Sequence, residues 1–334
     1  MEIYIEHKGR VVEADGRFRH AMALTLDSRS GNMEGVIRCV LSRDGDLGVK
    51  GYTDHSKLYR VSGESFEHYK IGERLNISDE DGIIESLIGE NEHFLGLEDA
   101  DICIDPETEL THLYFTIPID SPDPNKHIKI HLGHAVGKDL MSLKMTMPVL
   151  LSNDHASAKE VSIVPVNKNG FRYNLVESKS RIGDTKYSTV QIAIARDMSG
   201  PWEYGEVAIH PAKYNFPWMG GHVSPGPLLP RSFIDVGKGK LLGILNGREA
   251  NQKEGEKTIY KIFSIGFFIY DYENAKVDWI SAEPFIKDSE AEVITFASHF
   301  IETGKGTGLL YAHVDDSFVR AYTLNADGIR QLLP

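Results

Sequence analysis

Apolar and polar residues alternate along most of this chain, in short runs that end in clusters of Gly, Asp, Asn and Pro. Representative runs are THLYFTIPI (111–119), KIHLGHAV (129–136), FRYNLVES (171–178), VQIAIARD (190–197), KLLGILNG (240–247), FSIGFFIYD (263–271), TGLLYAHVD (307–315) and FVRAYTLN (318–325). A period of two, rich in β-branched and aromatic residues and bounded by turn formers, predicts strands. Only SDEDGIIESLIGENEHF (78–94) carries the spacing of a short helix.

A module of alternating strand, polar turn and resumed strand recurs at 56–70, 129–145, 190–205, 260–280 and 316–332. The spacings are on the order of 50–80 residues, long for a repeat but compatible with loop insertions. A lone sheet of this kind exposes unpaired edges, whereas radial repetition protects them. The expectation is an all-β fold, a five-bladed β-propeller in which residues 1–334 form one domain. A two-sheet sandwich is the alternative for the same strands. In a propeller the loops that lead into the blades gather at a central channel, so acids placed there share a polar pocket.

Composition narrows the function. The chain is 41% hydrophobic over 334 residues, enough for a large core. Its net charge of −13 disfavours nucleic acid and anionic membranes as partners. The two cysteines, Cys39 and Cys103, have neither disulfide-framework nor metal-ligand spacing. No apolar window reaches membrane-spanning length and no secretory pattern is present, so a cytoplasmic location is expected and the sequon at Asn76 is read as chance.

The glycine-rich GKGKLLG (237–243) and GKGTGLL (304–310) precede strands, where a phosphate loop would precede a helix, so both are expected to be hairpin turns. His127 and His131 fall on one face of a strand and His134 on the other, which favours packed or exposed histidines over a metal site. Carboxylates are the stronger signal. Asp44, Glu98, Asp99, Asp101 and the pair Asp315–Asp316 lie where strands begin or end, and glycosidic cleavage needs carboxyl groups as acid and as base or nucleophile. The competing reading makes Asp99 and Asp101 turn-capping residues. NFPWMGGHVSPGPLLP (215–230), which contains Trp218 and His222, is either a rigid wall for a sugar pocket or a loop merely stiffened by proline.

Taken together, five segments resemble glycoside hydrolase family 130, propeller enzymes that act on β-mannosides as phosphorylases or hydrolases. GLEDADI (96–102) resembles the family's G-x-E-D-P-R-I/V, which places its general acid at Asp99. AKEVSIVP (158–165) resembles a segment whose lysine falls on Lys159. HVSPGPLLP (222–230) with GKGKLLGILNG (237–247), IGFFIYDYENAKVDWISAEPFI (265–286) and LLYAHVDDSFVRAYTL (309–324) match three more in the right order. The last implies a sugar-binding acid at Asp315. Departures are instructive: Ala100–Asp101 replaces Pro-Arg, Asn246 stands where the family has a phosphate-binding histidine, and His313 enters near the pocket. The resemblance implies an oligosaccharide substrate, no cofactor beyond inorganic phosphate in a phosphorylase, and allows a homo-oligomer. With the phosphate site depleted, hydrolysis of a β-mannoside or related oligosaccharide is expected, with Glu98, Lys159, Asn246 and Asp315 orienting groups and Asp101 or Asp316 activating water. The alternatives are an inverting phosphorylase, a non-catalytic carbohydrate-binding propeller and, more distantly, a protein scaffold.

Overall fold

A computed structural model describes residues 3–121 and 128–334. It is mostly β, and Glu80–Leu87 forms the helix predicted within 78–94. Strands follow one another in antiparallel groups. His20–Leu26, Glu34–Asp44, Thr53–Ser65 and His68–Arg74 make the first. Glu98–Ile104, Thr111–Asp120, Lys129–Gly137 and Lys144–Met145 make the next. Lys159–Ser162 begins a third group with Arg172–Ile182, Thr185–Ala195 and Glu203–Ile209. It is joined by one parallel pairing, Ser188 with His222, to the group of His222–Leu229, Lys240–Arg248, Phe263–Asp271 and Lys276–Ile280. In the last group Thr295–Gly304, Thr307–Val314 and Phe318–Asn325 are completed by Tyr4–Glu6 from the other end of the chain.

The apolar faces of these groups meet one another. One core brings Leu242 and Phe267 against Leu310 and Leu324, a second brings Tyr311 and Val319 against Leu24 and Ile37, and a third brings Val36 and Leu58 against Leu113 and Phe115. Two more join Leu132 to Val176 and Leu175 to Leu245. A strand covered on both faces needs no polar alternation, which is why nine consecutive residues of Thr111–Asp120 are buried.

The first strand of each group lies beside the first strand of the next, and Thr295–Gly304 returns to lie beside His20–Leu26. Each of these strands slips register near the cavity end, at Met22/Thr25, Glu98/Asp101, Lys159/Val161, Pro225/Leu228 and Ala297/His299, and Thr295–Gly304 slips a second time at Glu302/Gly304. The slip is a β-bulge, which re-aims side chains. At three of them a non-glycine residue takes a left-handed backbone: Ala23 (φ 52°), Asp99 (φ 46°) and Glu160 (φ 50°). Such strain persists where the surroundings impose it. The glycine-rich segment at 304–310 forms the expected hairpin turn, with Gly306 at φ 70°.

Among the described residues no helix is long and apolar enough to cross a membrane.

Candidate functional site

The first strands surround a cavity of about 390 Å³ at one end. Glu98 and Asp99 reach it from the bulge of Glu98–Ile104, and Lys159 and Glu160 reach it from the neighbouring bulge. In a regular strand successive side chains face opposite ways. The bulge lets each consecutive pair face one space.

Gly96 places the first pair. It pairs with Ser56 of the adjacent group at φ 116°, and a Cβ there would lie 1.8 Å from the Ser56 carbonyl oxygen. The close approach brings Arg38 into range. Its guanidinium donates to Glu98 Oε1 (2.6 Å), Asp99 Oδ1 (2.8 Å) and Ser56 Oγ (3.1 Å), and its Nη2 lies 3.6 Å from Asp54. Asp54 in turn accepts two hydrogen bonds from Arg43 (2.6 and 2.8 Å).

Neighbouring carboxyls are driven to different protonation states. Burial, only partly offset by Arg38, pushes Glu98 up to about 7. Burial opposes the ionisation of Asp99 too, but Arg38 and Lys159 outweigh it and hold that carboxyl below its ordinary range. Glu160 shares the cavity with Asp99, and burial together with the Asp99 charge raises it well above the usual carboxylate value. Opposite shifts on neighbouring carboxyls suit a pair that shares one proton.

The rest of the lining is built alike. Glu177 lies 2.9 Å from His222 Nε2 and 3.6 Å from Lys159 Nζ. Its burial is outweighed by His222 and Lys159, which hold it well below the usual range. Asp316 lies 3.2 Å from His313 Nε2 and accepts from the Tyr52 hydroxyl (3.1 Å). There too burial is overcome, by His313, Arg38 and Arg43, and the carboxyl stays strongly acidic. Phe263 and Phe296 pack against His222 and His313 respectively, giving the cavity aromatic walls.

Of the residues singled out from sequence, Glu98, Asp99, Lys159, His222, His313 and Asp316 line this cavity. Others are elsewhere. Asp101 opens into a separate cavity of about 180 Å³, whose lining shares Asp99 and Glu160 with the first. It accepts from Thr25 Oγ1 (3.4 Å), and burial pushes its carboxyl up to about 7. Trp218 is not a pocket wall: it is 5% exposed and packed in the core, over Gly247 and Gly266, where a Cβ would come within 2.3 and 2.4 Å of its ring. Asn246 is fully buried behind the cavity, its amide accepting from Ala297 N (2.8 Å) and donating to Ala297 O (3.1 Å), so that it clips two neighbouring strands together. Asp315 points away and accepts from the backbone N–H groups of Glu292, Val293 and Ile294 (2.8–2.9 Å); the adjacent Asp316 takes the cavity position. Asp44 is exposed and 3.5 Å from His55. His131 accepts from Ser152 N (2.8 Å) and His134 sits in a buried chain between His112 and Thr146 (2.9 Å each), while His127 lies outside the described residues.

Sequence reasoning missed Arg38, Glu160, Glu177 and Arg248, all of which line the cavity. Three had a visible signal: a lone charge inside or at the end of an apolar run, as in GVIRCV, NLVES and LNGR. A charge there is either costly or functional.

No protein-family model matches the chain, and no curated protein matches it. Solved structures do. A β-1,2-mannobiose phosphorylase from Listeria innocua, in complex with β-1,2-mannobiose, aligns over 99% of this chain and 94% of its own at 14% identity, with a TM-score of 0.61. A structure from the glycoside hydrolase family 130 of mannoside phosphorylases, which contains hydrolases that target β-1,2-mannosidic linkages in Candida mannan, aligns over 97% and 94% at 16% identity with a TM-score of 0.64. An endo-arabinase from Bacteroides thetaiotaomicron aligns over 95% and 97% at 12% identity with a TM-score of 0.56. At these identities the likeness shows a shared fold, one that hosts enzymes acting on more than one sugar.

Proposed function

We propose that this chain is a glycoside-cleaving enzyme, built as a single five-bladed β-propeller over residues 1–334, that hydrolyses a β-mannoside or related oligosaccharide in the cavity around Asp99. The five-fold reading is supported by the succession of strand groups, each beginning with a bulged strand, whose first strands neighbour one another in a closed order. The family resemblance and the mannoside-active structures of like fold support the substrate class.

One observation carries the chemistry: two adjacent bulges bring Asp99 and Glu160 to one sugar-sized cavity, where burial and neighbouring charge drive their acidities in opposite directions. The leaving oxygen of a glycoside needs a proton as the bond breaks. Glu160 holds that proton at rest, and Asp99 passes it on, directly or through a sugar hydroxyl. Asp316, kept ionised by His313 and the arginines and fixed by Tyr52, is the base that activates water. Lys159 and His222, both anchored on Glu177, orient sugar hydroxyls.

Hydrolysis is favoured over phosphorolysis because phosphate recognition calls for convergent cations. Arg38 and Lys159 are already committed to carboxylates, which leaves Arg248 as a single uncommitted guanidinium and not a cluster. The test is to incubate the protein with β-1,2-mannobiose and longer β-mannosides, with and without inorganic phosphate, and to identify the products. Free mannose released without phosphate supports the reading. Sugar phosphate formed only with phosphate makes it a phosphorylase, and sugar binding without turnover makes it a binding protein.

A further inference from the structure

The other basic groups of the cavity wall each have a carboxylate beside them: Arg38 has Glu98 and Asp99, Lys159 has Glu177, and the imidazoles of His222 and His313 face Glu177 and Asp316. Arg248 has none. It ends strand Lys240–Arg248, paired with His222 on one side and Phe263 on the other. Its guanidinium lies 4.1 Å from the centroid of the Tyr260 ring and 5.2 Å from that of Phe263. Among the described residues it makes no ion pair or hydrogen bond through its side chain, and its Nε is buried without an acceptor. Burial lowers its pKa, the reverse of Arg38 and Arg43, whose carboxylates raise theirs.

Scarcity of acids does not explain this, since the chain has 49 Asp and Glu residues. Two aromatic rings flank the guanidinium, and its N–H groups have no acceptor among the described residues. Such a fork matches a planar carboxylate bidentately. The surroundings also limit the charge it can receive. Asp54, Asp99, Glu177 and Asp316 line the same cavity, so a doubly charged ligand meets about twice the repulsion of a singly charged one.

We propose that Arg248 is a receptor for the carboxylate of an acidic sugar, so that the saccharide bound here carries a uronic-acid unit with its carboxylate on Arg248 and its ring against Tyr260 or Phe263. The proposal rests on the carbohydrate reading above and narrows its substrate class from neutral to acidic glycosides.

The experiment is calorimetric titration of the full chain with D-mannuronate, D-glucuronate, D-mannose and inorganic phosphate, repeated on Arg248→Gln and Arg248→Lys. A uronate should bind at least about tenfold more tightly than mannose, and Arg248→Gln should remove that preference, the scale of a charge-assisted hydrogen-bond pair. Arg248→Lys, which keeps the charge and loses the fork, should retain part of it. Mannose affinity should stay the same in all three proteins, and matching thermal unfolding midpoints show that the variants are folded. Equal binding of uronate and mannose by the wild type overturns the acidic-sugar proposal and leaves the glycosidase reading standing. Tight phosphate binding lost in Arg248→Gln, with no uronate preference, assigns Arg248 to phosphate and overturns the proposal likewise. If no sugar binds at all, both readings fall.

Discussion

Glu98 and Asp99 are consecutive in the chain, yet both carboxyls meet the same guanidinium, that of Arg38, at 2.6 and 2.8 Å. The bulge and the left-handed backbone of Asp99 make this geometry, and the buried charge of Arg38 holds it. The two features depend on each other, because two carboxyls facing one space repel unless a cation lies between them.

Replacing Arg38 with methionine keeps much of its volume and removes that cation. Breaking a buried pair on one side leaves uncompensated charge and costs about 3–5 kcal/mol. Urea unfolding of Arg38→Met should show that loss, and sugar turnover should fall with it. A midpoint equal to wild type contradicts the buried network.

Glu160 is expected to supply the proton. Glu160→Gln should reduce kcat by about 10²–10⁴ with little change in sugar affinity, the usual size of general-acid catalysis. Because its pKa is raised, the wild-type rate should decline on the alkaline side as Glu160 ionises, and that limb should vanish in the residual activity of the variant. An unchanged pH–rate profile in Glu160→Gln rules out its role as proton store.

Asp101 gives a stability test with a definite sign. An aspartate pushed up to about 7 in the folded state holds its proton to higher pH than the same residue in the unfolded chain, which ionises near about 3.9. Between those values the folded state binds more protons, so this contribution to stability is present at low pH and is lost as pH rises towards 7. Glu98 acts in the same direction. Asp101→Asn should therefore gain on wild type, in thermal midpoint, from pH 4.5 to pH 7.5. A difference that shrinks over that range contradicts the placement.

Trp218 separates packing from binding. Trp218→Ala empties the slot formed with Gly247 and Gly266 and should cost about 3–5 kcal/mol, as deletion of a buried aromatic does. In conditions where the variant is folded, oligosaccharide affinity should match wild type. A selective loss of affinity at unchanged stability returns Trp218 to the pocket wall.

The strand pattern was legible because period-two alternation reports directly on which face is buried, and the helix at Glu80–Leu87 was legible for the matching reason. Glu98, Asp99, Lys159, His222 and His313 were found through local motifs. The partners were hidden by rules that hold only for regular strands. Alternation assigns Lys159 and Glu160 to opposite faces, and the bulge puts both in the cavity. The same limit applies to Asp315 and Asp316, consecutive left-handed residues of a turn whose side chains face different ways. Trp218 and Asn246 misled for another reason. An aromatic beside glycines, or an amide at a strand end, serves packing as readily as recognition, and only the positions of Gly247, Gly266 and Ala297 tell which.

Tyr4 pairs with Leu324 and Glu6 with Tyr322. The strand Tyr4–Glu6 therefore waits for Phe318–Asn325, and closing so long a span is slow because its entropy is lost before the pairing repays it. A nascent chain lacking its final residues has Arg38, Asp99 and Glu160 already synthesised but no His313 or Asp316 to face them. Ligand recognition should thus switch on late in biogenesis, and detaching the amino-terminal strand by proteolysis should loosen the far wall of the pocket without touching any residue that lines it.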